Sequence, residues 1–243
     1  MTRRLFLLPL CALLLAGCHA AGPPPKSAQE LLAEQPIDDT HDAFLVETGG
    51  RLGTLLVTAE RTAEEPAFEI HFAVWDPAGP TQPIQTMDAP SHVFHWKETV
   101  DANFDGHPDF GYMYAMGNQP TYWNFWIWDE ERGQFISEPE LSRISCPVFD
   151  SDTGTISGWA RGSAAGDGQS TFHQWVDGEL VCVRQIDGAL EQDGSLLLTV
   201  QDRVDGRLTE VYRGEFLADT DGYAEARRKW EDFPSEETAP KTF

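Results

Sequence analysis

Positive charge is what this chain has least of. In 243 residues, 17 Lys and Arg stand against 40 Asp and Glu, for a formal net charge of −23. That balance excludes a nucleic-acid backbone as the natural partner, because phosphates attract basic surfaces and repel acidic ones. It also disfavours direct adhesion to anionic lipid headgroups and favours a basic partner or cations. Cysteine is scarce, with 4 residues, too few for a disulfide-rich scaffold. There is no G-x-S-x-G nucleophile elbow, no H-E-x-x-H and no phosphate-binding glycine loop, and the 7 His are scattered. Paired carboxylates for glycoside hydrolysis stay open, since their separation is three-dimensional. What the chain does have is 8 Trp, 14 Phe and 5 Tyr set among 21 Gly and 16 Pro. Large apolar side chains punctuated by turn formers favour β structure.

The first residues read as a targeting segment. Arg3 and Arg4 precede a short apolar run, Leu5 to Leu15, which suits a secretory signal and is short for a membrane-spanning helix. The run ends in Leu15-Ala16-Gly17-Cys18, which resembles the bacterial lipobox. That resemblance implies cleavage after residue 17 and acylation of Cys18, with palmitate among the chains. The result would be a lipoprotein held on the cell envelope without a transmembrane helix. His19 follows the cysteine, which by the enteric sorting pattern implies the outer membrane, facing the periplasm. Residues 18–42 form a tether: a Pro-rich stretch to Lys26, then a short helix capped by Ser27. Of the remaining cysteines, Cys146 and Cys182 are expected to pair in an oxidising periplasm. Chain-entropy arithmetic gives such a bridge about 4 kcal/mol; two free thiols are the other reading.

From residue 43 to 218 the pattern is strand after strand, with possible division near residue 90. The separators are turn signals, the best of them the two-residue Asp177-Gly178 between Trp175 and Leu180. A loose recurrence links Glu69-Ile70-His71-Phe72-Ala73-Val74-Trp75-Asp76 to Tyr122-Trp123-Asn124-Phe125-Trp126-Ile127-Trp128-Asp129. Each alternates, ends in Trp-Asp and leads to another strand start. The expected fold is therefore all-β, antiparallel hairpins in a small propeller-like arrangement with a sandwich as the alternative, and a short helix at each end. Residues 219–243 are read as the second helix and a flexible tail. In strict alternation Trp126 and Trp128 share one strand face and Trp123 takes the other. Core packing explains them, and a carbohydrate-binding surface is the competing reading.

One motif is sharp: Asp101-Ala102-Asn103-Phe104-Asp105-Gly106-His107-Pro108-Asp109. Calcium takes 6–8 hard oxygen ligands, and a tight loop can aim its first, third and fifth side chains at one ion. Asp101, Asn103 and Asp105 fill those positions. Gly106 permits the sharp turn, His107 offers its main-chain carbonyl, and Asp109 adds a ligand directly or through water. Where an EF-hand has its bidentate Glu there is Tyr112, and the flanks read as strands, so this is not an EF-hand. The expectation is one structural calcium; the competing reading is an Asx-rich turn satisfied by its own backbone.

The stretch from Asp101 through Trp128-Asp129, Phe135 to Leu141 and Ser157-Gly158 to Trp175–Arg184 resembles the periplasmic immunity lipoproteins that neutralise lysozyme-like effectors of bacterial-killing secretion systems. That family is similar in fold to periplasmic inhibitors of invertebrate-type lysozymes. The resemblance implies a stoichiometric inhibitor of a basic, lysozyme-like peptidoglycan glycohydrolase, with a loop entering the glycan cleft. The loop it nominates is Trp159 to Ser170. Within it, Arg161 would pair with a cleft carboxylate, and Asp167 and Gln169 would reach sugar-binding groups, with Trp159 beside them. Inhibitors of the invertebrate-type enzymes use a Ser-Gly-x-Tyr pattern. Here Ser157-Gly158-Trp159 is followed by Ala160, so the Tyr is missing. Two other readings stand beside this one. A calcium-stabilised envelope binding module for glycan or protein would not inhibit, and a hydrolase would use paired acids.

Overall fold

The computed structural model describes residues 26–62, 68–79, 81–117, 120–162, 167–217 and 221–234. The signal segment and Cys18 lie outside them.

Three antiparallel meanders make the fold. The first sheet runs β1 (His41–Gly49), β2 (Gly53–Arg61), β3 (Phe68–Trp75) and β4 (Gln85–Ser91) in chain order. The second runs β5 (Lys97–Val100), β6 (Asp109–Met116), β7 (Thr121–Asp129) and β8 (Gln134–Ser137), again in order. The third has six strands in order: β9 (Val148–Asp150), β10 (Thr155–Arg161), β11 (Gly168–Val176), β12 (Glu179–Leu190), β13 (Ser195–Val204) and β14 (Arg207–Leu217). The recurrence seen in the sequence is now explained. Its two copies are β3 and β7, the third strands of the two four-stranded sheets, and the strand starts that follow them lead into β4 and β8.

The second sheet is the middle layer. Phe110, Tyr112, Trp126 and Trp128 pack with Phe44, Val57, Phe72 and Val74 of the first sheet. The rings of Phe110 and Trp126 stack with centroids 4.8 Å apart. From the opposite face, Trp123, Phe125 and Ile127 join Leu141, Ile144, Ile156 and Trp175 in a second cluster. Period-2 alternation thus sends Trp126 and Trp128 one way and Trp123 the other. Trp126 and Trp128 are each 4% exposed, so core packing is their role. The sheet of residues 41–91 shares one core with the second sheet.

The third sheet is covered on its far side by α2 (Asp221–Glu231), over Phe172, Ile186, Leu198 and Val200. The helix comes so close that a Cβ on Gly188 would sit 1.9 Å from the Tyr223 hydroxyl; only glycine fits there. At the other end of the chain, α1 (Ala28–Ala33) carries the expected cap. Ser27 Oγ accepts from the Glu30 amide at 3.3 Å, and Glu30 Oε2 accepts from the Ser27 amide at 2.7 Å.

Three expectations need correction. Within the stretch of strands expected from residue 43 to 218, residues 93–96 are not strand and β5 starts only at Lys97, because His95 takes a positive φ of 71° and its amide donates to Tyr112 Oη. The expected loop from Trp159 to Ser170 is strand at both ends: β10 continues to Arg161 and β11 begins at Gly168. Finally, Cys146 and Cys182 do not pair; both are free thiols. Cys182 lies on β12 opposite His173 of β11, which faces Ile156 of β10, which faces Phe149 of β9. Cys146 is on the chain entering β9, so three strand spacings of about 4.8 Å separate the two, about 14 Å in all. A disulfide needs Cα atoms within about 7 Å. Each sulfur has a local partner instead: Cys146 Sγ accepts from the Thr121 amide at 3.3 Å, and Cys182 Sγ donates to Arg184 O at 3.4 Å.

Candidate functional site

Two places carry the residues that the sequence nominates. The first is the loop from Asp101 to Asp109, joining β5 to β6. Positive φ at Phe104 (60°) and Gly106 (90°) turns the chain back on itself. The turn brings Asp101, Asn103 and Asp105 together. Asp101 Oδ1 and Asn103 Oδ1 both accept from the Asp105 amide, at 3.0 and 3.2 Å. Asp101 Oδ2 accepts from the Gly106 amide at 2.8 Å, and Asp105 Oδ1 from the His107 amide at 2.8 Å. Asn103 Nδ2 donates to Asp105 Oδ2 at 2.8 Å.

Asp109 is not grouped with them. It is fully buried, and its two oxygens accept the amides of Ala102 at 2.8 Å and Trp128 at 2.7 Å. Its carboxyl is pushed up to about 7, by burial first and by the charges of Asp105 and Asp101, against the two amides, which favour the charged form. Asp109 is the peg that ties the loop to β7. The His107 imidazole is also committed: Nδ1 lies 2.8 Å from Thr48 O, and Nε2 lies 3.3 Å from Glu130 Oε2. The Thr48 carbonyl, with the nearby carboxylates, raises its pKa. One partner of the loop was invisible in sequence: Trp175 Nε1 donates to Ala102 O at 2.9 Å from 73 residues away.

Among the described residues no set of three His, Cys, Asp or Glu side chains is arranged to hold a metal ion. At the turn, Asp101 Oδ1 and Asn103 Oδ1 are aimed at one point, the Asp105 amide, while the other oxygens of Asp101 and Asp105 accept from the Gly106 and His107 amides and from Asn103 Nδ2. Of the five nominated calcium ligands, three side chains converge, the carbonyl of His107 follows directly, and Asp109 is spent elsewhere. Beside the loop runs an open groove of about 630 Å³. Asp105, Glu130 and Glu131 line it together with the apolar surfaces of Ile136 and Trp175.

The second place is the β10–β11 hairpin, which gathers Trp159, Arg161, Asp167 and Gln169. Trp159 stands opposite Ser170, Ala160 opposite Gln169 and Arg161 opposite Gly168. Gly162 N donates to Asp167 O at 3.1 Å, closing the hairpin below residues 163–166, which lie outside the described residues. Arg161 and Gln169 are exposed, whereas Trp159 and Asp167 are half-buried. Gln169 Nε2 reaches across to Asp187 Oδ1 at 2.8 Å.

No helix among the described residues is long and apolar enough to cross a membrane. No family model matches the chain, and no curated protein matches it. Among solved structures, the chain is similar to one titled "Structure of a Xanthomonas Type IV Secretion System related protein", with a TM-score of 0.47 and 12% identity over 70% of this chain and 93% of that one. At that score and identity the likeness says nothing of activity.

Proposed function

We propose that this chain is an envelope-anchored, periplasm-facing inhibitor of a lysozyme-like peptidoglycan hydrolase that presents its β10–β11 hairpin to the enzyme's cleft. The observation that carries the reading is the hairpin. Trp159, Arg161, Asp167 and Gln169, nominated from sequence alone, stand on the two legs of one closed β-ribbon. Function commonly sits on connections carried at the end of a rigid sheet. The net charge of −23 suits it, since an acidic surface accelerates encounter with a basic enzyme. The anchor in this reading is the acylated Cys18.

The loop of Asp101, Asn103 and Asp105, with the carbonyl of His107, would hold one calcium ion. The ion would neutralise carboxylates that otherwise repel one another and would stiffen the β5–β6 junction. Asp109 would support the site from behind through its bonds to Ala102 and Trp128.

The groove beside Glu130, Glu131 and Trp175 favours a second reading. There the chain is a binding module that takes a basic protein segment in the groove and inhibits nothing.

The test titrates the full chain into chicken-, goose- and invertebrate-type lysozymes, with calcium and with chelator. Stoichiometric loss of glycan hydrolysis is expected for at least one enzyme. Binding through the groove with hydrolysis unchanged would replace the first reading by the second.

A further inference from the structure

Besides its own pairing and that with β12, the hairpin is bonded from α2. From the geometry we infer that α2 sets the pose of the β10–β11 hairpin for its partner, and that Arg227 is the positioning residue. The inference rests on the hairpin being the recognition element.

Arg227 is 8% exposed, and its guanidinium is fully engaged. Nη2 donates to Ser170 Oγ at 2.8 Å, and Nη1 donates to Gly168 O at 3.3 Å. Nη1 also reaches Tyr223 Oη at 3.0 Å, and Nε reaches Glu231 Oε1 at 2.8 Å. Ser170 Oγ donates in turn to Glu231 Oε1 at 2.7 Å. Arg227, Ser170 and Glu231 therefore form a closed triangle of hydrogen bonds. Two corners are on the helix and one is on the hairpin, and the Gly168 carbonyl adds a second hairpin attachment.

The site of attachment matters. Gly168 and Ser170 are the first and third residues of β11 and stand opposite Arg161 and Trp159. They bracket Gln169 and follow Asp167. All four nominated contact residues are thus within one residue, or one strand pairing, of an atom that the helix holds. The helix cannot drift, because Tyr223 lies against Gly188 and its apolar side is buried with Leu198, Val200 and Phe216. A planar guanidinium with several fixed donors suits this job, since it restrains direction as well as distance. Lysine, with one rotatable ammonium, cannot reproduce the bonds to Ser170, Gly168 and Tyr223 together.

A hairpin held in one pose before encounter loses less freedom on binding, which strengthens association without any new contact. Arg227 would then govern inhibition without touching the enzyme.

The experiment compares the full wild-type chain with Arg227→Met and Ser170→Ala. Ser170→Ala breaks the triangle from the hairpin side and leaves the helix intact. Two readouts are taken: amide hydrogen exchange, and inhibition of the lysozyme panel. In both variants, amides of residues 159–162 and 167–170 should exchange at least about tenfold faster, because local opening is no longer tied to the helix. Amides of β2, β3 and β6 should be unchanged. Inhibition should weaken by a similar factor and recover in no lysine variant. Unchanged hairpin exchange in Ser170→Ala overturns the proposal. So does faster exchange with undiminished inhibition, which leaves the inhibitor reading standing. A wild-type chain that blocks no enzyme while exchange behaves as expected overturns the inhibitor reading, and with it the recognition role of Arg227.

Discussion

The turn of the β5–β6 loop and the end of the β10–β11 hairpin are held differently. The turn is held from within: the carboxylates and amide of Asp101, Asn103 and Asp105 accept amides two to five residues further along the chain, and only its flanks are tied to Trp128, Trp175 and Thr48. The hairpin, paired with β12 along β11, is braced in addition by a helix about sixty residues later that reaches it through Arg227 and Glu231. The first arrangement is local and costs little loop entropy. The second depends on the whole third sheet being in register before the helix can dock. A turn whose tip is satisfied by its own amides takes its local shape early in folding, whereas a hairpin braced from a distance acquires its full pose only when the domain is complete.

The comparison breaks most severely at Arg184, the buried post under α2. Arg184 is fully buried; its Nε and Nη2 donate to Asp202 at 2.6 and 2.8 Å, and its guanidinium lies over Trp230 and Phe233. Arg184→Met leaves Asp202 buried and unpaired. It should cost about 3–5 kcal/mol, read by chemical denaturation, and should loosen α2 and the hairpin while the β5–β6 loop keeps its exchange protection.

The next effect is one of pH and also falls on the third sheet. His173 sits on β11 with a buried Nδ1 that has no partner, and burial pushes its pKa down from 6.5 to about 4. Because the folded state resists protonation and the unfolded state does not, its stabilising contribution is complete above pH 6.5. It is lost progressively as pH falls toward 4. The loss amounts to about 3 kcal/mol if His173 acts alone, and His173→Phe should abolish that part of the acid sensitivity.

On the loop side, Asp109→Asn exchanges one acceptor oxygen for an amide nitrogen. Either Ala102 or Trp128 then keeps a buried amide without an acceptor. The expected cost is about 2 kcal/mol by thermal melting, with the hairpin undisturbed. The smallest effect is Ser27→Ala, which removes the cap of α1 for about 1 kcal/mol and should leave both sites alone.

The same contrast explains what was legible in the sequence. The Ser27 cap of α1, the turn at Asp177-Gly178, the faces of Trp123, Trp126 and Trp128, and the gathering of Asp101, Asn103 and Asp105 are all set within a few residues, so spacing alone reveals them. The cysteine pairing failed because it depends on how many strands lie between β9 and β12, which no local pattern encodes. The hairpin's length was misjudged because Trp159–Arg161 and Gly168–Ser170 are strand by virtue of pairing with each other across residues that look like loop. Trp175 on Ala102 O and Arg227 on Ser170 were out of reach for a related reason. A tryptophan or an arginine in a strand or helix gives no sign of which distant carbonyl or hydroxyl it meets. The irregularity opposite Phe172 and His173, where Val183 is the extra residue, shifts faces midway along β12 and adds to the difficulty.

The central claim is that the hairpin recognises the partner and the loop only supports the frame. The most direct measurement is inhibition of a susceptible lysozyme by the wild-type chain, by Arg161→Glu and by Asp105→Asn, each with and without calcium. The account predicts that Arg161→Glu folds normally and loses most inhibition. It predicts that Asp105→Asn loses the calcium-dependent rise in melting temperature but still inhibits at full occupancy. Inhibition untouched by Arg161→Glu and abolished by Asp105→Asn would contradict the account and place recognition at the acidic loop and its groove instead.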